Sequence, residues 1–205
     1  MEKRHEGFFT AGYWRAARAE LKSVRSLALA GLMCALVLIL GKFRIPVGEN
    51  LNIYFTYLVK SVGAAVYGPL VAMLAAAVSD TLGFVLDSGG FPYFPGYMLG
   101  EMVSGLLFAA FLYRQRITVA RLALAKLLVN ALVNVGLGCL WSSMLYGKGY
   151  YYFLATSLPK NALLLPAEVL LMALTFAAVL PSLARAGLVA PQPAAPGRRL
   201  PLPLF

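Results

Sequence analysis

Six ionisable side chains fall inside long apolar stretches of this 205-residue chain: Lys60, Asp80, Glu101, Lys126, Lys160 and Glu168. A charge at membrane depth is costly and therefore needs a partner or a task. Lys126 lies near the end of its stretch and is expected to snorkel toward the polar boundary. Lys60 can snorkel less easily and can pair with Asp80 or Glu101. Lys160 and Glu168 stand two helical turns apart. These groups are expected to face a bundle interior, where they either pair with one another or touch a polar ligand. Asn130 and Asn134 form an i, i+4 pair with Trp141 farther along the same face. Amides inside a membrane bond to other helices or to a ligand.

Two loops add aromatic groups. Phe91, Tyr93 and Phe94 sit among Gly89, Gly90, Pro92 and Pro95, and Trp141, Tyr146 and Tyr150 to Phe153 flank Gly147-Lys148-Gly149. An interfacial aromatic belt accounts for part of this. The glycines and prolines suggest shaped loops able to close over a flat ligand. Catalytic chemistry finds little support. There is no Walker A loop, no HExxH and no GxSxG. The one histidine is His5, and Cys34 and Cys139 sit alone in apolar runs. No metal site, no cofactor and no catalytic residue is expected.

The elements that must hold these residues are membrane helices. Hydrophobic residues make up 60% of the chain and charged residues 13%, about half the usual charged share. The spacing predicts spans at roughly 26–41, 52–67, 70–86, 96–113, 118–145 and 158–183. The second and third are separated by Tyr67-Gly68-Pro69, where proline suits the first turn of a new helix. Together they predict an all-α, integral membrane six-helix bundle at 26–183. A basic amphipathic segment (1–25) precedes it, with no cleavable signal evident, and a Pro-rich tail (184–205) follows. The net charge of +10 could suggest nucleic acid, but its placement argues for membrane orientation instead. Lys and Arg collect in the leader, at Arg114, Arg116 and Arg121, and in the tail. Only Lys42, Arg44 and Lys148 fall in the opposite loops. The positive-inside rule then puts both termini in the cytoplasm of a cell-membrane protein. Ala30, Gly31, Cys34 and Ala35 give the first span a flat small-residue face, for internal packing or for a membrane partner.

Several stretches resemble the substrate-binding S components of energy-coupling factor (ECF) transporters, most closely the folate-specific branch. The first is Ala30-Gly31-Leu32-Met33-Cys34-Ala35 with Lys42-Phe43-Arg44-Ile45-Pro46. The second is Tyr67-Gly68-Pro69, Val78 to Phe84, and Tyr93-Phe94-Pro95-Gly96-Tyr97. The third is Lys126 to Asn130, Asn134, Leu140-Trp141, Leu145 to Lys148, and Lys160-Asn161 ahead of Leu165-Pro166. The family usually has Asn-Thr where this chain has Gly138-Cys139, and often an arginine where it has Ser157. The resemblance implies six helices with cytoplasmic termini and a vitamin pocket near the outer face. It also implies docking, through the first-helix small-residue face, on a transmembrane coupling protein with two cytoplasmic ATPases that drive toppling. Folate would stack among Phe94, Trp141 and Tyr146. Asp80 would accept from the pterin, Asn134 would add amide bonds, and Arg44, Lys148 and Lys160 would meet the glutamate carboxylates. Rival readings are an S component for another vitamin (thiamine or a queuosine precursor), a lipid enzyme using Asp80 and Glu101, and a ligand-free structural subunit.

Overall fold

The computed structural model describes residues 8–48, 51–88 and 92–190. The chain is nearly all helical. In order come α1 (Ala11–Leu21), α2 (Val24–Lys42), β1 (Arg44–Gly48), β2 (Leu51–Tyr54), α3 (Thr56–Leu86), α4 (Pro95–Leu112), α5 (Val119–Leu128), a π-helical stretch (Val129–Leu137), α6 (Gly138–Tyr146) and α7 (Tyr150–Arg185). Local chemistry sets several starts. Thr10, Ser23 and Thr118 cap α1, α2 and α5 by accepting from backbone N–H groups three residues on, and Pro95 opens α4. Among the described residues five helices are long and apolar enough to cross a bilayer, with α5, the π stretch and α6 counted as one.

The long apolar helix α3 is bent double. A straight helix of 31 residues would hold its ends about 46 Å apart. Here both ends of α3 meet the same place. Tyr54, just before it, pairs with Arg44 across the hairpin, and Asp87, just after it, makes a 2.8 Å ion pair with Lys42. The reversal occurs at Gly68, whose φ of 78° and ψ of −177° interrupt the helix. Two constraints demand glycine here. A positive φ strains any residue with a Cβ, and a Cβ at this point would lie 3.0 Å from the Tyr113 ring. Pro69 then starts the second arm. The predicted break thus falls where expected, and the arms are 56–67 and 69–86.

Three boundaries differ from expectation. Residues 51–54 form a strand rather than the start of a span, pairing antiparallel with 44–48, so the fold is not purely α. Hydrophobicity alone does not separate a short apolar strand from a helix end, and Ile45 opposite Ile53 suits a pleated pair. Next, α7 begins at Tyr150 and runs 36 residues through Pro159, Pro166 and Pro181. Finally, the basic leader does more than lie on a surface. Its helix α1 buries Tyr13 and Ala17 against the bundle. The Tyr13 hydroxyl donates to the Ala109 carbonyl at 2.9 Å, and its ring meets Tyr113 edge-on at 5.4 Å. The Tyr113 hydroxyl donates to Glu20, and Ser26 also bonds that carboxylate. Burial first, then the Glu20 charge, pushes the Tyr113 phenol up to about 12, so it remains a donor. Of the tail, 184–190 is described, with Val189 and Ala190 buried; the remainder lies outside the described residues.

The bundle has two unlike ends. Arg25 at the start of α2 donates to the Ala186 carbonyl after α7 at 2.8 Å, so those two termini share one end with α1, Tyr113 and the arginine-rich α4–α5 loop. The solid core also sits there: Tyr13, Phe108, Leu112, Tyr113, Ile117, Leu122, Met172 and Phe176 are fully buried. The hairpin, the Lys42–Asp87 pair, the start of α4 and the Gly147 turn make up the other end. Gly68→Val should therefore destabilise the fold by about 2 kcal/mol or more through backbone strain and overpacking. Thermal unfolding in detergent would show this as a lower Tm, and an unchanged Tm would contradict the turn geometry.

Candidate functional site

Aromatic side chains converge at the loop end. Phe94 caps α4, and its ring lies 5.8 Å from Trp141 of α6 and 5.9 Å from Tyr97. Glycine makes this possible. A Cβ on Gly96 would sit 2.3 Å from Phe94 Cε1 and 2.7 Å from Trp141 Cδ2, so the rings close over the first turn of α4 only because that residue has no side chain. The Tyr97 hydroxyl reaches the Ser142 hydroxyl at 3.1 Å. Trp141 Nε1 is buried and has no hydrogen-bond partner among the described residues. Tyr146 stands 6.1 Å from Phe153. Lys148, exposed in the turn after Gly147 (φ 68°), lies 4.6 Å above the Tyr152 ring.

A connected polar network lies farther down the same bundle side. Lys126 is 2% exposed and pairs with Glu168 at 3.1 Å. Its ammonium also sits 4.1 Å from the centre of the Tyr57 ring. The expectation that Lys126 snorkels is therefore wrong. Lys126 falls one turn after the fully buried Leu122, on the inward face of α5, where a counter-charge and a π face await it. Glu168, two turns from Lys160 on its own helix, finds this partner across the bundle instead. Asn130 donates to Glu168 at 2.8 Å, Asn134 donates to Asn130 at 2.8 Å and to Asn161 at 3.4 Å, and Asn161 donates to the Ser157 carbonyl at 2.8 Å. Both Asn130 and Asn134 lie in the π-helical stretch, a distortion often found at functional positions. Tyr57 Oη is likewise buried without a hydrogen-bond partner among the described residues.

Lys60, Glu101 and Asp80 form a second group between α3 and α4, with Lys60 and Glu101 still within electrostatic reach of Lys126. Lys60 pairs with Glu101 at 2.7 Å. Asp80 is half-buried and makes no hydrogen bond or ion pair among the described residues, although Lys60 and Glu101 lie within electrostatic reach. Its neighbour Thr81 meets the Tyr93 hydroxyl at 3.4 Å. Helix α4 turns Glu101 and Gly105 toward α3, and Gly96 and Gly100 toward Trp141. Beside Lys60, Cys34 and Ser79 is a cavity of about 20 Å³, room for about one water. It lies among α2, α3 and α4, away from Trp141.

The sequence-predicted residues therefore fall into groups. Phe94 and Trp141 touch, and Tyr146 ends the same helix as Trp141. Asn134 joins the network below them, and Lys160 precedes its member Asn161. Asp80 shares no hydrogen bond, ion pair or ring contact with Phe94, Trp141 or Asn134 among the described residues. Arg44 begins β1, but its side chain lies outside the described residues. On α2, Ala30 and Cys34 turn inward, the Cys34 thiol meeting the Ala75 carbonyl at 3.4 Å, whereas Gly31 and Ala35 are exposed. Tyr57, Ser157 and Asn161 were not singled out as site residues. Two polar stripes could have revealed the latter two: 126, 130 and 134 on one helix and 157, 161 and 168 on another, each spaced by whole turns.

Comparison with known proteins agrees with this architecture. Residues 21–182 match the family model described as ECF-type riboflavin transporter, S component. The folate transporter FolT of Leuconostoc mesenteroides is 32% identical over 152 residues, covering 71% of this chain and 80% of that protein. FolT of Clostridium novyi is 27% identical over 152 residues, covering 74% and 88%. A crystal structure of FolT bound with folic acid aligns with a TM-score of 0.67 at 31% identity, covering 73% of this chain and 91% of that one. Each match is a transporter component and none is an enzyme. The chain belongs to the S-component family of ECF-type transporters.

Proposed function

We propose that this protein is the substrate-capture subunit of an ATP-driven vitamin importer and that its substrate is folate. The observation that carries this reading is the Trp141 indole N–H, buried beside the Phe94 ring without a partner among the described residues. An unsatisfied buried donor costs about 1–3 kcal/mol, and a polar, flat ligand would remove that cost. The folate named in the matched transporters has such a ring system, with hydrogen-bonding edges and an anionic glutamate. Phe94, Trp141 and Tyr146 are assigned to the pterin and its linker, Asn134 to a polar edge, and Lys160, Lys148 and Arg44 to the carboxylates. Asp80, within electrostatic reach of Lys60 and Glu101 and next to Thr81, whose hydroxyl meets that of Tyr93, is assigned to the pterin N–H groups. Riboflavin, named by the family model, is the second reading.

In this proposal each arm of α3 counts as one crossing, the first arm together with the hairpin. That gives six crossings. The arginine-rich end, which carries both described termini, faces the cytoplasm by the positive-inside rule, and the aromatic end faces outward. The exposed Gly31–Ala35 side of α2 is the docking face for a transmembrane coupling protein, which links the subunit to two cytoplasmic ATPases that power toppling.

Two outcomes test this. Purified protein should bind folate more tightly than riboflavin in a fluorescence titration, and Phe94→Ala or Trp141→Ala should each weaken folate binding about tenfold or more; unchanged affinity in both variants would remove the aromatic site. Gly31→Leu should leave folate binding intact yet abolish uptake in cells carrying the coupling module. Normal uptake by that variant would show that α2 docks elsewhere.

A further inference from the structure

The hydrogen-bond network has a direction, and that direction decides what Asn134 can offer a ligand. A carboxylate paired with an ammonium only accepts. Glu168 therefore requires Asn130 to donate its amide N–H, at 2.8 Å. The Asn130 carbonyl oxygen then faces the other way and requires Asn134 to donate, again at 2.8 Å. A second chain arrives independently from α7. The Ser157 backbone carbonyl also only accepts, so Asn161 must donate to it at 2.8 Å. That leaves the Asn161 carbonyl oxygen to accept from Asn134 at 3.4 Å. Both chains engage the same nitrogen of Asn134, and an amide nitrogen has two hydrogens to give. Its donors are used.

What remains is Asn134 Oδ1, an acceptor with no partner among the described residues. Burial places this end of the chain correctly. Asn130 and Asn161 are 4% and 6% exposed, whereas Asn134 is exposed. The network thus runs from a buried ion pair outward to one presented carbonyl oxygen. From this geometry we infer that Lys126, Glu168 and Asn130 on one side, and Asn161 on the other, are positioning residues. They lock the Asn134 amide so that it accepts a hydrogen bond from a ring N–H or amino group of the substrate. An amide free to rotate would serve donors and acceptors alike; a locked one selects ligands with a donor edge, because an acceptor placed there meets an acceptor.

The inference rests on the substrate-capture reading, and a double-mutant cycle separates the two. Lys126→Met/Glu168→Leu replaces the ion pair with apolar groups of similar size, a change that folded proteins tolerate far better than loss of one partner. Folate affinity is measured for wild type, for this pair variant, for Asn134→Leu and for the triple variant, with Tm recorded for each. The pair variant should bind folate about tenfold more weakly than wild type, and Asn134→Leu similarly. In the Asn134→Leu background the pair substitution should change affinity by less than about twofold, because the locked group is gone. Equal losses in both backgrounds, or no loss in either, would overturn the positioning role. A wild-type protein that binds riboflavin and not folate would overturn the folate assignment alone, and the same cycle read with riboflavin would then decide the lock. Binding of neither vitamin would overturn both.

Discussion

The Lys126–Glu168 ion pair is the fixed point of this bundle. Lipid offers no water to a stranded charge, so every ionised group at membrane depth must find its partner within the protein. The pair joins α5 to α7 at 3.1 Å, and the Tyr57 ring brings the first arm of α3 to the same ammonium. Three helical segments distant in sequence are thereby held to one point. Removing one member of such a pair strands the other charge, at a cost of about 3–5 kcal/mol. The network above it inherits its order from this constraint, since each amide must answer the group beneath.

The division between a packed end and a polar, aromatic end follows the same logic. At the basic end large apolar side chains fill the space completely, and α1 seals the bundle with Tyr13 and Ala17. Toward the loops the filling changes to amides, a carboxylate and tilted or edge-on rings, and Trp141 Nε1 and Tyr57 Oη remain unmatched among the described residues. A protein optimised for stability alone would have satisfied them. Both lie toward the loop end, in keeping with the proposed binding side of the bundle.

Much of the frame could be read from residue types. The break at Tyr67-Gly68-Pro69, the spans, the basic end and the aromatic loops all follow from hydropathy, turn chemistry and charge placement, which are local properties. The strand pair at 44–54 escaped, because a few apolar residues next to a helix look like more helix. The snorkelling assignment of Lys126 failed for a related reason. Position along a span tells how far a side chain is from water, but not which way it faces.

By itself the sequence determined that this chain is a helical membrane protein with scarce, meaningful charges and aromatic, glycine- and proline-bearing loops. Those properties depend on composition and spacing along one chain. Only the tertiary structure decided that Glu168 belongs to Lys126 rather than to its own-helix neighbour Lys160, that Lys60 pairs with Glu101 rather than with Asp80, and that Asn134 presents an oxygen. Partnerships across helices depend on their relative rotation and depth, which packing of whole helix faces sets and which no single segment encodes.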